Sequence, residues 1–356
     1  MSVEFWRLLQ AGYGAGIAVE ARRAEDEGWT GVGLPDTQNK QPDPYVAMTV
    51  AGLATSQLRL ATSVTNPFTR NAAVTASAIS TVHAETGGRA LLGIGRGDSS
   101  LAHLGFAPAP VAVLGDYIRR VQGYLRGEPQ PFLGADGTQL RAVDAGDLAG
   151  APTESKLDWL DPAMPKVRVA VAATGPKVIS TSAVVADEVT LAVGASVERI
   201  GWGVDRVRTA RAEAGLDERD ITIGAYVPII VHEDYATARQ LIAGDVASFA
   251  RFSVMRGTVA GPASGHAQDV LKRVHSVYDL RQHYTAGSAA SQVIDDDLVD
   301  TFAIAGPAGH CVDRLGELVD AGVTKFFVLR VGRGIDPDAH EQAEHDFVDH
   351  VLSVLA

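Results

Sequence analysis

Five short stretches of the chain carry residue types that could hold and transform a small ligand. Asp36-Thr37 follows the apolar run Thr30–Pro35, and Ser63-Val64-Thr65-Asn66 follows Leu58–Thr62. Gly95-Arg96-Gly97-Asp98 follows Ala90–Ile94, Ala173-Thr174-Gly175-Pro176-Lys177 ends a run begun at Val167, and Arg330 ends Lys325–Leu329. Gly95 and Gly97 allow backbone to approach a ligand closely or to adopt positive φ. Thr174-Gly175-Pro176 leads into a helical pattern, so free N–H groups at a helix N-terminus would offer a phosphate seat, with Lys177 adding charge. The plainer reading is a turn with proline at the first helical position. Asp36 after Pro35 reads either as a functional carboxylate or as an Asx turn. Gly95–Asp98 is neither a P-loop, lacking Gly-Lys-Ser/Thr, nor a full Gly-x-Gly-x-x-Gly dinucleotide fingerprint.

Other chemistries have less support. The ten histidines show no His-x-His and no His-Glu-x-x-His, and the single cysteine, Cys311, can neither complete a zinc set nor form an internal disulfide. No metal site is expected. Cys311 has apolar neighbours and reads as a small buried hydrophobe rather than a nucleophile. A Gly-x-Ser-x-Gly elbow is absent, so serine hydrolysis has no basis. The net charge of −12 argues against nucleic acid or an anionic membrane surface as partner. A phosphate-bearing ligand must then be held by local donors. No signal-like N-terminus or membrane-length apolar run is found, and the reading is a soluble, cytoplasmic protein.

These loops need a scaffold. With 46% hydrophobic and 21% charged residues the chain is a core-forming one. Short apolar segments alternate with amphipathic helical patterns: strands at Val3–Leu9, Thr30–Pro35, Leu58–Val64, Ala90–Gly95, Val167–Ala173, Glu188–Val193, Ile221–Val231 and Lys325–Arg330. Between them the patterns predict helices at Gly16–Gly28, from Asp43-Pro44, at Ala72–Glu85, Val111–Leu125 and Pro176–Ala186, then on to Gly215, with a last one from Pro337. Residues 127–165 lack periodicity and read as an insertion. The span 234–300 is mostly helical and broken by glycines. Eight strand–helix units, with no charged edge strand, fit a (β/α)8 TIM barrel (α/β class) better than an open sheet. All five polar stretches then fall at strand carboxyl ends, where barrels build their sites.

The run Ser63-Val-Thr-Asn-Pro-Phe-Thr-Arg-Asn-Ala-Ala-Val-Thr-Ala-Ser-Ala-Ile-Ser-Thr81 and the segment Gly87-Gly-Arg-Ala-Leu-Leu-Gly-Ile-Gly-Arg-Gly-Asp98 resemble the bacterial-luciferase-like superfamily. The match is closest to its F420-dependent methylenetetrahydromethanopterin reductase branch. Ala172–Lys177 and Phe302–Pro307 look like two further landmarks. The resemblance spans the chain as one barrel domain, 1–356, weakest at 127–165 and 255–300. It implies a usually dimeric barrel that holds the deazaflavin coenzyme F420 and passes hydride between its C5 and a substrate carbon. A non-prolyl cis peptide behind the ring would fall at Ser63–Val64. By motif position Asp36, Ser63, Val64 and Thr65 would line the ring. Gly95, Arg96, Gly97 and Asp98, with Ala173, Thr174, Gly175, Pro176 and Lys177, would hold the phosphate-bearing side chain. Thr37, Asn66 and Arg330 would face substrate, and Asp36 is the one candidate catalytic group. Relatives commonly carry Asp-His where this chain has Asp36-Thr37, which removes the obvious acid/base candidate. Two other readings remain on the same barrel: an FMN-dependent monooxygenase, and a catalytically silent cofactor-binding protein.

Overall fold

The computed structural model describes residues 3–9, 16–131, 152, 154–329 and 332–355. Among the described residues nine strands form: β1 (Glu4–Leu8), β2 (Gly31–Leu34), β3 (Arg59–Thr62), β4 (Ala90–Ile94), β5 (Arg168–Ala173), β6 (Glu188–Leu191), β7 (Thr222–Val231), β8 (Ile304–Gly306) and β9 (Lys325–Leu329). Each of β1 to β7 pairs in parallel with the next, β9 pairs with β7, and β9 returns to β1 through Phe5↔Phe326. Eight parallel strands therefore close into the expected (β/α)8 barrel. The ninth, β8, was not expected: it is three residues long and pairs only with the far end of β7, at Ile229–Val231.

The helices follow in chain order: α1 (Ile17–Asp26), α2 (Pro44–Ala54), α3 (Ala72–Glu85), α4 (Asp98–Ala102), α5 (Val111–Leu125), α6 (Pro176–Val185) and α7 (Val197–Glu213). Then come α8 (Tyr235–Ser253), α9 (Gly265–Val277), α10 (Asp296–Phe302), α11 (Ala308–Asp320) and α12 (Pro337–Phe347). The local chemistry explains their starts. Asp43 accepts hydrogen bonds from the N–H groups of Tyr45 (2.9 Å) and Val46 (3.2 Å), with Pro44 at the first position of α2. Asn71 caps α3 in the same way through Ala73 N–H. Cys311 is fully buried on α11, and burial pushes its thiol up to about 12, as fits a small core residue rather than a nucleophile.

Two layers fill the barrel. At the amino ends of the strands lies a charged layer of Glu4, Lys325 and Glu188, joined by Arg59 and Arg168. Above it Trp6, Phe327 and Tyr226 pack ring on ring, with centroids 5.3 Å and 4.9 Å apart. Gly31 is required beside them, because a Cβ there would lie 2.7 Å from the Trp6 ring. Between β7 and β8 the chain makes a long excursion through α8, α9 and α10. Arg199 of α7 ties it down: fully buried, it bonds Ser253 Oγ (2.8 Å) and the carbonyls of Ala260 (3.0 Å) and Pro262. The insertion expected at 127–165 lies partly outside the described residues; within them Gln130 and Ser155 form an antiparallel bridge. Among the described residues no helix is long and apolar enough to cross a membrane.

Candidate functional site

β3 ends at Thr62, and the next peptide bond, Ser63–Val64, is cis, as the resemblance implied. The surrounding backbone holds this stretch on every side. Ser63 N–H donates to Leu34 O (2.7 Å), Thr62 Oγ1 to Gly93 O (2.7 Å), Thr65 N–H to Gly93 O (3.0 Å), and Gly95 N–H to Thr65 O (2.9 Å). From the opposite wall the Tyr226 hydroxyl meets Ser63 Oγ at 2.9 Å. Burial pushes that phenol up to about 12, against the Ser63 hydrogen bond, so it is neutral at physiological pH.

Over this floor, at the carboxyl ends of the strands, opens a cavity of about 910 Å³, large enough for a drug-sized or cofactor-sized molecule. One wall is Gly95–Ser100, following β4; the facing wall is Thr174–Val178, at the start of α6. Gly175 caps α6 with no side chain, so the N–H groups of its first turn have no side-chain acceptor. A Cβ at Gly95 would sit 3.0 Å from Val64 Cγ2 and 3.9 Å from Ala172 Cβ, so this glycine leaves a shallow trough beside the floor. Gly97 has φ +77, which a side chain rarely tolerates. Lys40, Arg281 and Arg333 stand around the mouth as the local cations that an acidic protein needs for an anionic ligand.

Of the residues singled out from sequence, Thr37, Ser63, Val64, Gly95, Arg96, Gly97 and Asp98 line this cavity, together with Thr174, Gly175, Pro176 and Lys177. Asp36, Thr65, Asn66 and Ala173 do not. The Asp36 carboxylate is buried beneath the floor, where it accepts from Arg70 Nη1 (2.6 Å), Thr65 Oγ1 (2.7 Å) and Gln38 Nε2 (2.6 Å). Asn66 closes a turn by accepting from the N–H groups of Phe68 and Thr69. Arg96 Nε donates to Ala109 O (2.6 Å), and Arg330 lies outside the described residues.

Sequence reasoning passed over a whole wall. α8 contributes Phe249, Phe252 and Ser253, and the segment after α9 contributes Leu280, His283 and Tyr284. Arg251 of α8 pairs with Asp98 and lies 4.7 Å from the Tyr278 ring centroid. Phe249 and Phe252 do stand three apart on one helix face, a readable signal. No spacing rule connects residue 283 to residue 98.

The model of the luciferase-like monooxygenase family matches residues 10–325. A 5,10-methylenetetrahydromethanopterin reductase from Methanolobus tindarius is 28% identical over 320 residues, which is 87% of this chain and 88% of the relative. The solved structure of the coenzyme F420-dependent tetrahydromethanopterin reductase from Methanopyrus kandleri superposes with a TM-score of 0.75 at 22% identity, covering the whole of both chains. That of an F420-dependent secondary alcohol dehydrogenase bound to an F420–acetone adduct gives 0.72 at 17%, covering 99% of each. With nine-tenths of its length matched and its barrel closed, the chain belongs to the luciferase-like family.

Proposed function

We infer that this protein is an F420-dependent oxidoreductase that moves a hydride between C5 of the deazaflavin and a carbon of a small organic substrate. The observation that carries the reading is the cavity of about 910 Å³ at the carboxyl ends of the strands, set between the Gly95 trough and the uncapped start of α6. A planar tricyclic ring needs an open slot, for which the trough at Gly95 leaves room, and its phosphate needs N–H donors without a side-chain acceptor, as at the start of α6. The relatives named above support F420 over FMN as the cofactor.

The residues divide the work by position. Ser63 and Val64 support the ring, with Tyr226 fixing the Ser63 hydroxyl. Asp36 and Thr65 act from below, holding the floor through Arg70 rather than touching substrate. Gly95 to Asp98 and Thr174 to Lys177 hold the side chain, with α6 N–H groups and Lys177 meeting the phosphate and Ala173 behind them in β5. Thr37 and the wall of Phe249 and Phe252 bound the space left for substrate. When bound, the deazaflavin supplies two electrons as a hydride; the protein's part is to fix the two carbons face to face in a dry pocket. The purified protein is expected to bind F420 with quenching of the cofactor's fluorescence and to bind FMN at least about tenfold more weakly, a gap of about 1.4 kcal/mol. Tight FMN binding with no F420 binding would replace the hydride reading by oxygen activation on the same barrel.

The chain is read as one barrel domain with two insertions, working in the cytoplasm as a homodimer. Val46, Val50 and Leu53 form an exposed stripe at helical spacing on α2, beside exposed Phe68 and Val74. A second copy of this chain fits that face. Leu53→Glu is expected to convert the dimer to monomer in light scattering; an unchanged mass would remove this face from the interface.

A further inference from the structure

We propose that the amino end of the barrel carries a separate binding site, for a small anion bearing two or more linked phosphates, in a cleft lined by Arg119, Arg126, Arg168, Arg208, Arg211 and Arg219. The assignment is independent of the cofactor reading, because this cleft and the cavity above the Ser63–Val64 floor lie at opposite ends of the strands.

The cleft is built where strands begin. Arg168 is the first residue of β5, Thr222 the first of β7, and Asp187 and Thr324 immediately precede β6 and β9. Two helices stand over these ends. α5 and the residue after it supply Arg119 and Arg126, seven residues apart and so on one face. α7 supplies Arg208 and Arg211 at a three-residue spacing, again one face, and Arg219 comes from the turn between α7 and β7. The enclosed volume is about 1060 Å³, enough for a small-molecule ligand.

Half of these arginines have a carboxylate partner. Arg119 pairs with Asp116 (2.7 Å), Arg126 with Glu128 (2.6 Å) and Arg168 with Glu188 (2.8 Å). Among the described residues no carboxylate lies within ion-pair distance of Arg208, Arg211 or Arg219. Arg211 is the fixed member of the three. It is only 6% exposed, with Nε donating to Asp217 O (2.6 Å) and Nη1 to Ala183 O (3.0 Å). Those carbonyls set the plane of the guanidinium but bring no net charge, and Nη2 has no acceptor among the described residues. A guanidinium held rigid without a counter-charge is ready to take a phosphate oxygen pair. The carboxylates that share the cleft do not fill this need. Asp187 accepts from Lys166 Nζ (2.7 Å), Gln122 Nε2 (3.2 Å) and Val169 N–H (2.8 Å), while Glu218 and Asp220 are exposed and pair with no arginine.

The spread of the cations sets the ligand class. α6 packs against both α5 and α7, so the two arginine-bearing helices are separated by two packing distances of about 8–10 Å each. One phosphate or sulfate is too short to reach both sides, whereas a chain of linked phosphates carries several charges across such a gap. Val184 and Leu216, 41% and 38% exposed, line the same cleft and offer an apolar rest for an organic group attached to the phosphates.

Titration calorimetry in low salt, with tripolyphosphate and with magnesium-free ATP as probes, tests this. Both should bind, and Arg208→Gln combined with Arg219→Gln should weaken them about tenfold or more. Both side chains are exposed and without a carboxylate partner, so the double variant should keep the wild-type thermal midpoint. Arg206→Gln, on the same helix but outside the cleft, should leave the affinity unchanged. Protein already saturated with F420 should still bind both probes, which separates this site from the phosphate seat at α6. Tighter binding of ATP than of tripolyphosphate assigns a nucleotide that rests on Val184 and Leu216, and the reverse order assigns an inorganic chain. The proposal is overturned if neither probe binds, if sulfate binds as tightly as tripolyphosphate, or if the double variant keeps full affinity. Failure to bind F420 would overturn the cofactor reading alone, since the arginine variants decide this site without it.

Discussion

The Lys325→Met variant is expected to lose about 3–5 kcal/mol of folding stability, read as a lower urea midpoint with an unchanged slope. Lys325 opens β9 at the amino end of the barrel and is buried, with Nζ 2.5 Å from Glu188, 3.3 Å from Glu4 and 5.1 Å from the Trp6 ring centroid. Methionine preserves the volume and removes the charge. Glu188, equally buried, is then left to Arg168 at 2.8 Å, whose side chain is 47% exposed and so screened by water. The cost comes from the stranded carboxylate rather than from the lost pair, since a buried pair and a well-packed apolar substitute are often close in stability. Lys325→Met combined with Glu188→Leu should therefore recover much of the loss. Acid unfolding gives a second readout. Burial raises the Glu4 carboxyl, but Lys325 and Arg59 outweigh it and hold its folded value below 4.5. That stabilisation is present above pH 4.5 and is lost as pH falls through the folded value. Without Lys325 the acid transition should move to higher pH. An unchanged urea midpoint would show that the charged layer adds nothing to stability.

The barrel was legible because its signal is repeated and local. Ala72–Glu85 and Val111–Leu125 form helices with the bounds read from sequence, and Asp43-Pro44 starts a helix as its chemistry predicts. β1, β2, β3, β4 and β6 end one or two residues before the expected carboxyl ends, β5 and β7 end where expected, and after β3 the residues Ser63 and Val64 leave the sheet to form the floor. Two elements were missed, β8 and α4, of three and five residues, too short for any periodicity to register. At the site, motif position found residues that lie together around the cavity but could not say which way each faces. Asp36 and Thr65 alternate with cavity-lining neighbours and end beneath them, bonded to one another at 2.7 Å. The wall of Tyr226, Phe249, His283 and Tyr284 was invisible for another reason. Its members come from three elements that the barrel's closure brings together, and each alone reads as an ordinary core residue.

Gly95→Val is expected to weaken F420 binding about 100-fold or more, roughly 2.7 kcal/mol, while the thermal midpoint moves by only a few degrees. The position separates binding from folding. Gly95 has no positive φ, and its N–H bond to Thr65 O survives any side chain, so the backbone accepts valine. Gly97, two residues on, gives no such separation, because φ +77 and a Cβ placed 2.6 Å from Asn66 Cβ would disturb the loop itself. At Gly95 the new Cβ meets Val64 Cγ2 at 3.0 Å, tight enough to push the floor by a few tenths of an ångström. The two methyl groups beyond it occupy the trough between Val64 and Ala172, the space assigned to the cofactor. Gly95→Ala should fall between the two, since it presses on Val64 without filling the trough. Fluorescence titration with F420 decides the matter. Wild-type affinity in Gly95→Val would mean that the cofactor does not lie against β4, and the floor at Ser63–Val64 would then need another ligand to explain its shape.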